Sequence, residues 1–229
     1  LTDFEFFRLR YLGHVSSPWQ VEAAVKMVEL LASDGDDYTV VNLPPGAGKT
    51  TLFTCDIPLW MIVRDRSVRI IVGHRTQSMA NTYSGRLRQI LARRTPLKAR
   101  ERNMRMGLEV DAVATLAGDF GPFKPGTGDD LWRREQFTVV TNDEVRTDEK
   151  ESTVVAFGMD SGQLGWRADF IVWDDLASTK IRTPEAVANQ REWFDDEAET
   201  RLEPGGVFAL VGQRLGSSDI YRHALDKRG

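Results

Sequence analysis

The sequence predicts an α/β fold with a mainly parallel central sheet flanked by helices, and three observations carry that expectation. Short apolar runs rich in β-branched residues recur at 38–43, 68–73, 170–173 and 207–211. Segments with helical spacing of apolar residues lie between them. The first run opens through a Gly- and Pro-containing turn directly into an apolar segment, so the chain reads strand, loop, helix. Strands alternating with helices favour parallel pairing through right-handed crossovers. With 229 residues, 41% of them apolar and 28% charged, the chain can bury the core of one such domain.

Residues 1–12 (LTDFEFFRLRYL) are aromatic-rich and read as a short helical N-terminal appendage. In SSPWQVEAAVKMVELLAS, Ser17 suits an N-cap, Pro18 suits the first helical position, and Gln20 stands three residues after the cap. Val21, Ala24, Val25, Val28 and Leu31 then share one helical face. DGDD at 34–37 is a polar turn into the strand 38–43. After the loop a helix runs through Leu52, Phe53 and Cys55 towards Trp60, with Pro58 expected to kink or end it. VRIIVG at 68–73 is a second buried strand. Residues 75–94 follow as a helix carrying Met79, Tyr83, Leu87, Ile90 and Leu91 at helical spacing. The Gly-, Pro- and Asp-rich stretch 117–130 reads as a surface loop. QFTVVT at 136–141 and TVVAF at 153–157 read as two strands of an extra β-hairpin whose loop is 142–152. Phe170–Trp173 is an apolar strand ending at Asp174 and Asp175. Thr183–Leu202 is a helix capped by Thr183 and ended by Gly205–Gly206, with Val187, Phe194, Ala198 and Leu202 as its stripe. Val207–Val211 is a strand running into Gly212, Gln213 and Arg214, and SSDIYRHALDK begins a last helix.

The chemistry concentrates at VVNLPPGAGKTT, residues 40–51. A strand that turns through Gly46 and Gly48 into a helix points loop amides and the helix N-terminus at one spot, which favours an anion there. Lys49 adds a cation, and the Thr50 hydroxyl can take a place on Mg²⁺. This is a phosphate-binding loop, with Leu43 where the usual first Gly would stand. Pro45, Gly46, Ala47, Gly48, Lys49, Thr50 and Thr51 are the expected nucleotide contacts. The Asp pair supplies the other half of such a site: Asp174 can hold the Mg²⁺ water shell, and Asp175 can orient or deprotonate the attacking water. Gln213 or Arg214, at the end of its own strand, can touch a γ-phosphate and report its presence. Trp19 and Gln20 have two readings. They are a core contact and a capping-box residue, or they read adenine, because a Gln amide matches N6 and N7 and an aromatic can pack beside the base. The expected fold is thus a P-loop nucleoside triphosphatase of the RecA/ASCE-like kind.

Composition excludes other classes. A single Cys55 forms no internal disulfide, and the three histidines and Cys55 show no zinc spacing. No apolar run reaches membrane-spanning length and no signal peptide opens the chain, so a soluble intracellular protein without membrane partners is expected. Net charge is −4, which gives no global signal for nucleic acid. Residues 93–105 (RRTPLKARERNMR) are nevertheless locally basic. Arg100, Arg102 and Arg105 read either as phosphate-backbone contacts or as a solvated helix face.

Taken in order, these motifs resemble the ATPase domain of a tailed-bacteriophage large terminase. SSPWQVEAA resembles its adenine motif, and NLPPGAGKTT its Walker A loop. IIVGHRTQSMANTYSGRLRQIL resembles the strand and helix that follow. GQLGWRADFIVWDDLAS resembles the lead into Walker B, and FALVGQRLGSSDIY the coupling motif. The resemblance spans nearly the whole chain as one ATPase domain, 1–36 being N-terminal helices with the adenine motif and 37–229 the P-loop core. It implies ATP and Mg²⁺ as cofactors, Lys49 on the β- and γ-phosphates, Thr50 and Asp174 at the metal, Asp175 as the base, and Gln213 and Arg214 in coupling. It also implies an arginine finger from a neighbouring subunit of a homo-oligomeric ring. Arg167 is its candidate, with pairing to Asp169 or capping of the strand as the alternative. Walker A arginines found in such proteins are replaced here by Pro44 and Pro45. The implied partners are double-stranded DNA, a portal protein and a small terminase subunit, and the implied setting is the host cytoplasm, docked transiently on a procapsid. The family's nuclease domain is not expected within these residues, so no DNA cleavage is expected of them. Two other readings share the motifs: one RecA-like domain of a superfamily 2 helicase, and a nucleotide-dependent switch that hydrolyses weakly.

Overall fold

The computed structural model describes residues 3–33, 37–99, 110–126, 132–141, 144–145, 152–161, 165–178, 181, 183–216 and 218–228. Its centre is a six-stranded sheet built from β1 (Asp37–Asn42), β2 (Ile70–His74), β3 (Gln136–Phe137), β6 (Val154–Gly158), β7 (Ala168–Asp174) and β8 (Leu202–Gly212). Their order across the sheet is β1-β8-β7-β2-β6-β3. All pairings are parallel except β3 with β6. The strands β7, β2 and the second half of β8 are buried nearly throughout, which is why they read as continuous apolar runs. The expected α/β fold, parallel sheet and flanking helices are all present.

Helices cover both faces. α1 (Asp3–Phe7) continues as a π-helical turn to Leu12, α2 is Pro18–Leu31, and α3 runs from a π-helical stretch Thr50–Asp56 into Ile57–Arg64. α4 is Gln77–Ala92, α5 Leu116–Phe120, α6 Pro184–Trp193 with a further turn to Arg201, and α7 Ile220–Arg228. One core layer joins Phe4, Phe7, Met27, Leu52, Phe53 and Leu87 to the sheet; the other joins Trp173, Phe194, Phe208 and Tyr221.

Several local expectations change. On α2 the buried residues are Gln20, Ala24 and Met27, while Val25 and Val28 are exposed. Gln20 is held inward by hydrogen bonds, and that pins the helix rotation one position away from the aliphatic stripe. Pro58 does not end α3. It sits where the π-helical stretch, closed by the Ile57 amide on the Leu52 carbonyl, gives way to α-helix, so its missing N–H is accommodated. α4 buries Leu87, Ile90 and Leu91, but Met79 is exposed. The loop expected at 117–130 contains α5, and Thr115 caps it by accepting the Gly118 amide. In the extra hairpin region, β3 pairs with β6, whereas β4 (Val140–Thr141) pairs with β5 (Glu144–Val145) inside the segment expected to be loop. The helix expected over Thr183–Leu202 is capped by Thr183 as the sequence suggests, but Leu202 already belongs to β8. Gly205 and Gly206 lie within that strand, at an irregularity opposite Ala168–Phe170, rather than ending a helix.

Candidate functional site

Parallel pairing brings the C-terminal ends of the strands into one row. Asn42 is in register with Gly212, Val211 with Asp174, Asp174 with His74, and His74 with Gly158. Open α/β sheets bind ligands beyond such ends. The strand that leads into Gln213 and Arg214 lies between the strand of the phosphate loop and the strand of the Asp pair. Any signal between loop and carboxylates therefore borders this middle strand.

The loop 43–49 leaves β1 with the Leu43 amide on the Gly212 carbonyl (3.0 Å). Gly46 and Gly48 take φ of 80° and 86°, in the left-handed region that favours glycine. A Cβ at Gly48 would also stand 3.0 Å from Gln20 Nε2. The amides of Gly46 and Gly48 make no hydrogen bond among the described residues, so both are available to a ligand. Lys49 is buried, and its Nζ is 4.0 Å from Asp175 Oδ1.

Asp174 is fully buried at the end of β7. Its Oδ2 accepts from Thr54 Oγ1 at 3.2 Å, the Thr50 hydroxyl lies nearby, and its Oδ1 has no partner among the described residues. Burial pushes its carboxyl up to about 6, with the neighbouring Asp175 adding to the rise; Thr50, Thr54 and Lys49 pull the other way. Asp175 lies half-exposed with φ of 51°, unusual for a residue with a side chain. Its amide is held by the Val211 carbonyl at 2.9 Å. That conformation turns the chain sharply after the strand and carries Asp175 round towards Lys49.

Two features of this end go beyond the sequence reading. His74 closes β2 beside Asp174, and its Nδ1 accepts the Thr76 amide (3.0 Å), which fixes the neutral ring with its proton on Nε2. Burial, then the nearby Arg75, lower its pKa. Tyr83 of α4 packs edge-on against His74, with its hydroxyl near Thr50. His74 was legible by the rule that exposed Asp174, a polar residue ending an apolar strand; Tyr83 was not, because it sits in a helical stripe.

Gln20 answers to its structural role. Its Oε1 accepts the Ser17 amide at 3.1 Å and Arg8 Nη1 at 3.3 Å, while Nε2 faces the phosphate loop. Trp19 is partly buried against the core. Arg8 is itself buried and bonds Asp56 Oδ2 of α3 at 2.8 Å; His14 Nδ1 meets the same oxygen at 2.9 Å. This knot ties the N-terminal appendage to the helix of the phosphate loop.

The remaining candidates lie apart. Arg167 precedes β7, at the opposite end of the sheet from Asp174, and is 61% exposed. Its nearest carboxylate is Glu203 at 3.9 Å; Asp169 instead pairs with Arg69 at 2.6 Å. Gln213 follows β8 at the site end, and Arg214 lies 3.8 Å from Asp219. Arg100, Arg102 and Arg105 lie outside the described residues.

No protein-family model matches this sequence, and no curated protein matches it significantly. Among solved structures, the large terminase of bacteriophage HK97 is similar, with a TM-score of 0.52 and 12% identity over 98% of this chain. The chain has the fold of a phage large terminase. It spans 40% of the length of that protein. The resemblance read from the motifs is thus met in the fold. Among the described residues no helix is long and apolar enough to cross a membrane.

Mg²⁺ and a nucleoside triphosphate fit the residues present. The unpartnered Asp174 Oδ1, with the Thr50 hydroxyl beside the same carboxylate, suits the water shell of a hard cation. The open glycine amides and buried Lys49 suit phosphate.

Proposed function

We propose that this chain is the Mg-ATP-hydrolysing motor domain of a terminase-type machine that moves double-stranded DNA into a procapsid. The observation that carries the reading is the meeting of Lys49 and Asp175 at 4.0 Å above a buried, half-satisfied Asp174, at the carboxyl ends of parallel strands. The similarity in fold to a large terminase supports the choice among nucleotide-driven machines.

In this reading Lys49 and the amides of Gly46 and Gly48 bind phosphate oxygens, and Thr50 and Asp174 hold the metal's shell. Mg²⁺ supplies neutralisation of phosphate charge. Asp175, more exposed than Asp174, takes the proton of the attacking water or orients it. Gln213 and Arg214 border the loop through the β1–β8 pairing and carry the state of the site into the turn before α7. Trp19 and Gln20 sit on the base side of the loop.

ATP hydrolysis measured with and without Mg²⁺ and duplex DNA, over a range of protein concentrations, tests this. Lys49→Ala should lose tight ATP binding. Asp175→Ala should keep binding and lose hydrolysis by roughly a hundredfold or more, the scale of a lost catalytic base. Unchanged ATP affinity in the first variant, or unchanged turnover in the second, overturns the assignment.

A further inference from the structure

Most arginines among the described residues are satisfied within the molecule. Arg8, Arg10, Arg69, Arg167, Arg201, Arg214 and Arg222 each lie within 4.0 Å of a carboxylate. Arg66, Arg75, Arg88 and Arg191 bond carbonyl oxygens, and Arg64 lies over the Trp60 ring. Four have no such partner among the described residues: Arg86, Arg93, Arg94 and Arg134. Two of them share a side of α4, and the other two lie beside it. Arg86 and Arg93 are seven residues apart, at α4 and the residue that caps it, and so project on the same side. Arg94 is the next residue. Arg134, from the segment before β3, lies along α4, its Cγ 3.6 Å from where a Cβ at Gly85 would be.

We propose that this face of α4 binds the phosphate backbone of a nucleic acid, as the DNA contact of the motor reading on which it rests. Residues 75–99 hold six cations and no carboxylate in a chain of net charge −4; with Lys98 paired to Asp111 and Glu135 set against Asn81, the net positive surface is that of Arg86, Arg93 and Arg94. Arginine forks match phosphate oxygens and carry no cost of breaking an existing ion pair here. A protein partner would need apolar anchors at the centre of its interface. Among the described residues of 75–99 and 132–137 Met79 is the single exposed large apolar side chain, too little for such a centre. The face also has a mechanical connection. The first turn of α4 follows His74 and Arg75 at the carboxylate end of the sheet, and the helix spans about 24 Å to Arg93. A pull on the stripe is therefore delivered by one rigid element to the nucleotide site.

The test is binding of a labelled 30-bp duplex by the wild type and by a variant with Arg86→Glu, Arg93→Glu, Arg94→Glu and Arg134→Glu, over a series of salt concentrations. The slope of log affinity against log salt should become shallower by about 3, since each phosphate that an arginine neutralises adds about 0.9 to it. Two reversals at paired positions, Arg10→Glu and Arg222→Glu, should leave the slope within about one unit of wild type. ATP binding is measured on every variant, because none of these residues touches the phosphate loop. An unchanged slope in the fourfold variant with ATP binding intact overturns the proposal and leaves the nucleotide site standing. Loss of ATP binding in the wild type fails the motor reading instead, and the DNA slope is then still read on its own. A change in oligomeric state without a change in slope assigns the face to a second copy of the chain, which also overturns the proposal.

Discussion

Two buried aspartates, Asp56 within the helix that follows loop 43–49 and Asp174 packed against it, are given different countercharges. Asp56, 1% exposed, receives the cationic Arg8 guanidinium and the His14 ring on Oδ2, while its Oδ1, like that of Asp174, has no partner among the described residues, so the contrast is one of countercharge. Asp174, fully buried, receives only the neutral Thr54 hydroxyl among the described residues, and Lys49 is turned towards Asp175 instead. The first carboxylate has its countercharge inside the molecule, as a structural ion pair must. The second is held short of one, and burial lifts its pKa to about 6. The fold supplies a buried guanidinium to one aspartate and not to the other, and on the proposed motor reading the second takes a charge that arrives from outside.

Breaking the satisfied side should cost most. Arg8→Ala leaves Asp56 with His14 alone and removes one of the two donors on Gln20 Oε1, so unfolding free energy should fall by about 3–5 kcal/mol. Urea denaturation reads this directly. A loss below about 1 kcal/mol would mean that the knot is dispensable and the contrast between the aspartates empty.

Relieving the unsatisfied side should act with the opposite sign. The folded-state pKa of Asp174 is raised, so its protonated form is the one the fold prefers. Stability from this group is present below about pH 4 and is lost as pH rises through about 6. Asp174→Asn, neutral throughout, should therefore match the wild type near pH 4 and exceed it by about 1–3 kcal/mol at about pH 8, from the size of the shift. The same substitution should remove Mg²⁺-dependent nucleotide binding. In the wild type that binding should weaken by up to about tenfold per pH unit below about 6, as a proton competes for the carboxylate. Thermal unfolding at the two pH values and Mg²⁺ titrations along the series check both halves. A destabilised Asn variant at the higher pH would show that the charge is welcome as it stands.

The satisfied and unsatisfied sides differ in how far the sequence discloses them. The phosphate loop, the Asp pair and the Thr183 cap depend on residues adjacent in sequence, and all were readable. The knot joins positions 48 and 42 residues apart, and nothing local to Arg8 marks it as buried. The rotation of α2 escaped for the same reason: periodicity offered the stripe of Val21, Val25 and Val28, and the distant bond from Arg8 to Gln20 chose another. The order of strands was not legible either, since apolar runs carry no label of their neighbours. Yet that order places Gln213 and Arg214 between loop and carboxylates. Gly205–Gly206 read as a helix stop because glycine ends helices and marks strand irregularities alike.

Arg167 falls between the two cases, and its expected effect on stability is the smallest. It has a carboxylate at 3.9 Å, but the guanidinium is 61% exposed at the far end of β7. An exposed pair at that distance contributes within about 0.5 kcal/mol, so Arg167→Ala should unfold almost as the wild type does. Its distance along the strand from Asp174 keeps it from the proposed nucleotide site of its own chain. If it serves a neighbouring subunit, Arg167→Ala should lose DNA-stimulated ATPase while keeping ATP affinity, and activity should return in mixtures with Lys49→Ala. In such mixtures the intact phosphate loop of one chain meets the intact arginine of the other. Absence of rescue, with both variants folded and the wild type active, would place Arg167 with Arg69 and Glu203 as part of the charge pairing that closes that end of the sheet.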